Sequence, residues 1–388
     1  MIRKILIFYI LALNLLFSLP VRAAQQDNPG DIDLSVLDME AVEQVVRQLD
    51  DEIQQAVPQL DFRSLTAKLA RGELEWNISE VFNWLIKFIF NEVLANLLLL
   101  GKLVVLAIIT AVLQNLMTAF EKATVGKIAY FICYLVLITL AVGTFTLTIN
   151  IGREAVDNMV IFMQALLPLL LTLLAAMGGI ASSTLFHPII LGSITVMGTV
   201  IKNVVLPLIF FAAVLSVVNG VSAKFKVSRM ADLFKTAGMT ILGLCSTVFM
   251  GILAVQGVAG SVSDGVALRT AKFTTDAFVP VVGGTLSDAL EAVMGSALLM
   301  KNAVGVAGVV VIALLTVLPL VKILAIAFVY RLAGAVVQPV GDGQMADCLT
   351  GLGNSLIMVF GAVATVGLLF FFAITIVVGM GNLTVMLR

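Results

Sequence analysis

The sequence predicts an all-α fold: a polytopic helical membrane protein with a cleaved signal peptide and an N-terminal extracytoplasmic helical segment. Three observations carry that prediction. Of 388 residues, 60% are hydrophobic and 12% are charged, against roughly 45–50% and about 25% in soluble domains. From residue 98 onward the chain is a series of apolar blocks, and a block of about 20 residues crosses ~30 Å of hydrocarbon as a helix. Ahead of them, residues 24–97 are polar and hold 14 acidic against 5 basic residues, while residues 98–388 hold 15 basic against 10 acidic. The net charge of −1 hides that split. No basic stripe points to nucleic acid, which is excluded as a partner.

Residues 1–23 have the build of a signal peptide. Arg3 and Lys4 precede an apolar run from Ile5 to Leu19. Pro20 and Val21-Arg22-Ala23 then place a cleavage site after Ala23. An uncleaved anchor is the alternative, and either form exports residues 24–97.

Segment 24–97 is helical by pattern. Leu37, Ala41, Val45, Leu49 and Ile53 recur every four residues among Glu and Gln, an amphipathic period. Pro58 ends that helix. Asp61 caps a second, carrying Leu65 and Leu69 and stopped at Gly72. Ser79 caps a third that runs toward the membrane. Trp76 and Trp84 precede the first span, where indole rings favour the headgroup layer.

The apolar blocks are assigned as spans at 98–118, 128–150, 159–178, 184–201, 203–219, 237–258, 303–330 and 354–380. Residues 98–258 thus hold about six membrane helices, with Gly178-Gly179 and Lys202-Asn203 as breaks. A re-entrant hairpin over 184–219 is a second solution. Loop 220–236 carries Lys224, Lys226, Arg229 and Lys235 against Asp232 alone, which assigns it to the cytoplasm. Segment 259–302 is near neutral and rich in apolar residues. It reads as an extracytoplasmic amphipathic segment of one or two helices on the membrane, broken at Pro280 and Gly283-Gly284. Residues 303–388 supply two further membrane helices around a Gly/Pro-containing loop, 331–353.

Catalytic motifs are missing from the pattern. His187 is the single histidine, there is no H-E-x-x-H, and no Walker A sequence occurs. No cofactor is expected. Cys133, Cys245 and Cys348 fit neither a zinc nor a redox spacing. Polar groups lie in or beside the spans: Lys102, Gln114, Asn115, Gln164, Lys202, Asn203, Gln256 and Lys322. A charge at mid-bilayer costs ~2.5–3.5 kcal/mol on insertion scales, so such groups face protein or water, or snorkel. For Lys322, one turn beyond Pro319, both readings stay open. No acidic residue sits well inside an assigned span, which argues against a proton-coupled pump. Glycine pairs such as Gly305 and Gly308 permit close helix approach.

The run from Lys272 through Pro280-Val281-Val282-Gly283-Gly284 to Asp288 and Ala289 resembles the stage III sporulation protein AE family. So do Met300-Lys301-Asn302, the run from Gln164 to Leu171, and Gln338-Pro339. The resemblance implies a non-enzymatic subunit of a trans-envelope channel, feeding-tube or secretion-like. It implies the mother-cell membrane around the forespore as location, and the other stage III sporulation subunits and membrane lipids as partners. A homo-oligomer is a further option. On this reading Lys272, Pro280, Gly283, Gly284, Asp288, Lys301, Lys322, Gln338 and Pro339 are candidate partner-contact or structural residues. A stand-alone permease for a small solute is the alternative.

Overall fold

The computed structural model describes residues 39–48, 61–73, 78–119, 124–221, 227–278, 283–340 and 343–386. The signal segment lies outside them. The described residues are almost wholly helical, with no strand among them. The short helices are α1 (Glu40–Gln48), α2 (Phe62–Ala70) and α3 (Ile78–Ala95). The long ones begin with α4 (Leu97–Ala119) and α5 (Thr124–Ala176). Next come α6 (Ile180–Val200), a π-helical turn at Ile201–Val205, and α7 (Leu206–Val221). Helices α8 (Ser228–Phe278), α9 (Gly283–Val337) and α10 (Gly343–Met386) complete the chain.

Six helical stretches among the described residues are long and apolar enough to cross a membrane: 83–110, 131–176, 182–218, 228–257, 293–337 and 343–380. The eight assigned spans differ from these in two places. The assigned spans 128–150 and 159–178 are one helix, α5, and 184–201 and 203–219 join through the π turn. The charged residues at both junctions looked like loops. They pair with each other instead, which lets the helices continue. Each fusion removes one crossing, so the two together leave the sidedness of every later segment unchanged. The break at Gly178-Gly179 is real. Gly178 adopts φ +91°, a left-handed conformation that glycine takes without a Cβ clash.

The first apolar window begins at Asn83, earlier than residue 98. Helices α3 and α4 are separated only by a turn at Asn96, whose side-chain amide donates to the Glu92 carbonyl at 2.8 Å. Segment 259–302 is helical on both sides of the expected break, and Pro280 itself lies outside the described residues. Its residues extend α8 as far as Phe278 and open α9 from Gly283. The assigned loop 331–353 shrinks to the junction between Val337 and Gly343, with a 3-10 turn at Gln338–Val340.

Helices α9 and α10 form the most extensive packing in the molecule, and α5 lies against both. A Cβ on Gly152 of α5 would meet Val359 and Val363 at 3.2 and 3.3 Å and Ile323 at 3.9 Å. Further along, the Thr316 hydroxyl oxygen lies 3.2 Å from the Met159 sulfur. As α5 rises from 152 to 159, α9 therefore falls from 323 to 316, so the two run antiparallel. Helix α4 packs on α5 and α9, while α8 packs on α6, α7 and α10. At 1.5 Å per residue, the 53 residues of α5 and the 55 of α9 reach roughly 80 Å. That is more than twice the ~30 Å of a bilayer core.

The N-terminal helices dock on this bundle. Asp61 caps α2 as expected, accepting from the Arg63 amide at 3.3 Å, and Gly72 closes it at φ +68°. Phe62 is buried edge-on to Phe162 of α5 at 6.4 Å, and α2 also packs on α9. In α1 the buried face is Met39, Val42 and Val46, with Ala41 exposed. Of the expected stripe, Val45 packs partly buried against the core, Ala41 does not, and Leu37, Leu49 and Ile53 lie outside the described residues. The i, i+3, i+7 spacing follows 3.6 residues per turn better than strict fours.

Candidate functional site

A polar seam runs along α5 and α6 on the outside of an otherwise apolar bundle. It is built from helical spacing. On α5, Thr139, Thr146, Asn150, Glu154, Asp157 and Gln164 recur at three, four or seven residues, which places them on one face. All are exposed except Asp157, which is half-exposed. Helix α6 and the π turn bring Thr184, His187, Thr195, Thr199 and Lys202 alongside.

Two contacts stitch the helices together. The Lys202 ammonium donates to both carboxylate oxygens of Asp157, at 2.7 and 2.6 Å, with the two side chains 35% and 44% exposed. Gln164 Nε2 donates to the Thr195 hydroxyl at 2.9 Å. Arg153 adds a long contact, Nε to the Lys202 carbonyl at 3.5 Å. Lys202 sits within the π turn, an irregularity that recurs at functional sites in helices. At the hairpin tip an open depression of about 400 Å³ is lined by Pro168, Leu171, Thr172, Ala175, Ser183, Thr184, His187 and Pro188.

Not every polar residue in the seam demands water. The hydroxyls of Thr139, Thr146, Thr172, Thr184 and Thr195 donate to the carbonyl four residues back, at 2.8 to 2.9 Å, which satisfies them even in lipid. Asn150, Glu154, Gln164 and the ion pair have no such local solution. They set the chemistry of the face. Among the described residues no group of three His, Cys, Asp or Glu is placed to hold a metal.

The structure corrects the reading that no carboxylate lies within an apolar span. Glu154 and Asp157 lie inside the 131–176 stretch. The available signal was their register: they continue the spacing of Thr146 and Asn150 across a supposed loop.

The residues singled out from sequence are not brought together. Pro280 lies outside the described residues. Lys272 falls on α8, while Gly283, Gly284 and Asp288 open α9. Lys301 is fully buried, and its ammonium donates to the Val378 carbonyl at 2.8 Å. A residue with no exposed surface cannot be a contact for another subunit, so its role lies inside the chain. Lys322 is half-buried in the middle of α9, and Gln338 and Pro339 are exposed in the 3-10 turn at its end.

Residues 60–381 match the family model described as stage III sporulation protein AE. A curated relative from Bacillus subtilis (strain 168), named "Stage III sporulation protein AE", is 42% identical over 317 residues, which cover 82% of this chain and 79% of the relative. No solved structure matches.

Proposed function

Because this chain belongs to the stage III sporulation protein AE family and is a multi-pass membrane protein, we propose that it is a non-enzymatic subunit of a trans-envelope complex. That complex is a channel, feeding-tube or secretion-like, joining mother cell and forespore, and the chain sits in the mother-cell membrane around the forespore. The observation that carries the reading is the length of α8 and α9. The apolar window of α8 ends at Gly257 and that of α9 begins at Val293, yet the helices continue to Phe278 and back to Gly283. These extensions project helical surface beyond a single bilayer, on the side of the N-terminal segment if each apolar stretch crosses once. Lys272, Gly283, Gly284 and Asp288 lie on these extensions and, together with Pro280 from outside the described residues, are the candidate contacts with other stage III subunits.

The test is affinity purification of the tagged full chain from sporulating cells after engulfment. Co-purification of the other stage III subunits, lost on deleting 272–288, is expected. Recovery of the chain free of every sporulation partner would overturn the proposal. One observation favours a stand-alone transporter: the carboxylates of Glu154 and Asp157 inside an apolar stretch, beside a helical irregularity. Solute uptake by the purified chain alone in liposomes would establish that second reading.

A further inference from the structure

The face of α5 that carries Asn150, Glu154, Asp157 and Gln164 poses a problem for any membrane protein. Its polar residues point away from the bundle interior. Glu154, Asn150 and Gln164 are exposed, and the Asp157–Lys202 pair is partly so. Lipid is the wrong neighbour for them, since each charge at mid-bilayer costs ~2.5–3.5 kcal/mol on insertion scales. The molecule shows what a lipid-facing surface looks like elsewhere: Leu244, Val248 and Val255 along α8 are 53–69% exposed, and Ile128, Ile132 and Val136 at the start of α5 are 50–56% exposed. The stripe on α5 is apolar through Val136 and carries mainly polar residues from Thr139 on, with exposed Ile161 among them. From there to Thr172 it spans 33 residues, roughly 50 Å of helix, longer than a bilayer core is thick.

We infer that this seam faces water, as one wall of an aqueous passage for small polar solutes. The inference rests on the channel-subunit reading for its biological meaning and deepens it by naming the lining. Three features support it. The polar positions keep one face over seven helical turns and more, which scattered tolerance of polar residues would not produce. The ion pair lies on the seam with both side chains partly exposed, and not among the buried residues of α9 and α10. The depression at the tip brings Thr172, Ser183, Thr184 and His187 together with Leu171, Ala175 and two prolines at the end of the α5–α6 hairpin. A single chain leaves the seam open, so neighbouring subunits close the passage.

The experiment is thiol accessibility in membranes from sporulating cells, with the reagent supplied to both faces. The background is the full chain with Cys133→Ala, Cys245→Ala and Cys348→Ala. Single cysteines replace Asn150, Gln164 and Thr172 on the seam, and Ile132 and Val248 on the apolar surface. Ser228→Cys, at an exposed helix start, confirms that the reagent works. Seam cysteines are expected to react with a membrane-impermeant reagent at least about tenfold faster than Ile132→Cys and Val248→Cys, because the reactive thiolate forms in water and is suppressed in apolar surroundings. Unreactive seam cysteines beside a reactive Ser228→Cys would overturn the inference, as would equal rates at seam and apolar positions. Either result is compatible with successful co-purification of partners, so the failure of this inference is distinguishable from failure of the subunit assignment.

Discussion

The α9–α10 hairpin and the α5–α6 pair are made of equally apolar helices, yet they treat their small and polar residues in opposite ways. In the hairpin these residues bring backbones together. A Cβ on Gly367 would lie 2.9 Å from Thr316 Cβ, and one on Gly353 would lie 3.2 Å from the Ala327 carbonyl. Hydroxyls there are buried and used: Tyr330 donates to the Ala141 carbonyl at 2.7 Å, and Thr316 to Ile312 at 2.7 Å. Along residues 351–380 of α10, Asn354 is the exposed side chain. On the seam, by contrast, Gly143 and Gly192 have nothing within 4 Å of a would-be Cβ, and the polar groups face outward. The lesson is that composition in a membrane helix does not reveal its partner. Glycine and threonine serve a dry contact in one hairpin and an open face in the other.

The largest expected effect breaks the dry hairpin. Gly367→Val forces a branched side chain against Thr316, whose own rotamer is stiff, and overpacking of this kind costs about 1–3 kcal/mol or more. Purified protein should lose thermal stability sharply in detergent. Gly192→Val on the seam should stay within about 0.5 kcal/mol, as open surface positions do. Equal losses at the two sites would erase the distinction.

Lys301 sharpens the comparison from within. Its methylene stem is packed in the hairpin and only its tip finds a carbonyl. Lys301→Ala should therefore cost about 2–5 kcal/mol, by analogy with truncating other long buried chains. Lys301→Met keeps the stem and should be much milder, the ranking being read by unfolding midpoint. A reversed ranking would show that the charge, and not the packing, matters there.

The Asp157–Lys202 pair comes third. A water-facing ion pair contributes about 0–1 kcal/mol, whereas breaking a desolvated one costs about 3–5 kcal/mol. A double-mutant cycle with Asp157→Asn and Lys202→Met should give a coupling below about 1 kcal/mol, falling further with added salt as screening requires. A coupling near the desolvated value would return the pair to an apolar setting. The smallest effect is that of Gln164→Leu. It removes an exposed bond to Thr195, worth no more than about 1 kcal/mol. It should leave the unfolding midpoint nearly unchanged while slowing solute passage through the assembled complex.

What could be read in the chain was whatever depends on local pattern. The cap at Asp61, the stops at Gly72 and Gly178, and the apolar stretches all follow from side-chain chemistry over a few residues, and the structure keeps them. The fusions at 151–158 and 202–203 were not legible. A run such as Arg153-Glu154-Ala155-Val156-Asp157 looks the same in a loop as in a helix until its partner is known. That partner, Lys202, lies 45 positions away.

The sequence by itself determined the solvent of this protein, its all-helical class and its family. Hydrocarbon leaves helices as the economical way to satisfy the backbone, and apolar length reports that directly. Only the tertiary structure decided which polar groups meet. It turned two apparent loops into one ion pair, buried Lys301 inside the body, and gathered residues from α5 and α6 into a single face. Those outcomes depend on the relative rotation and depth of helices distant in sequence, which pairwise contacts fix and local periodicity does not encode.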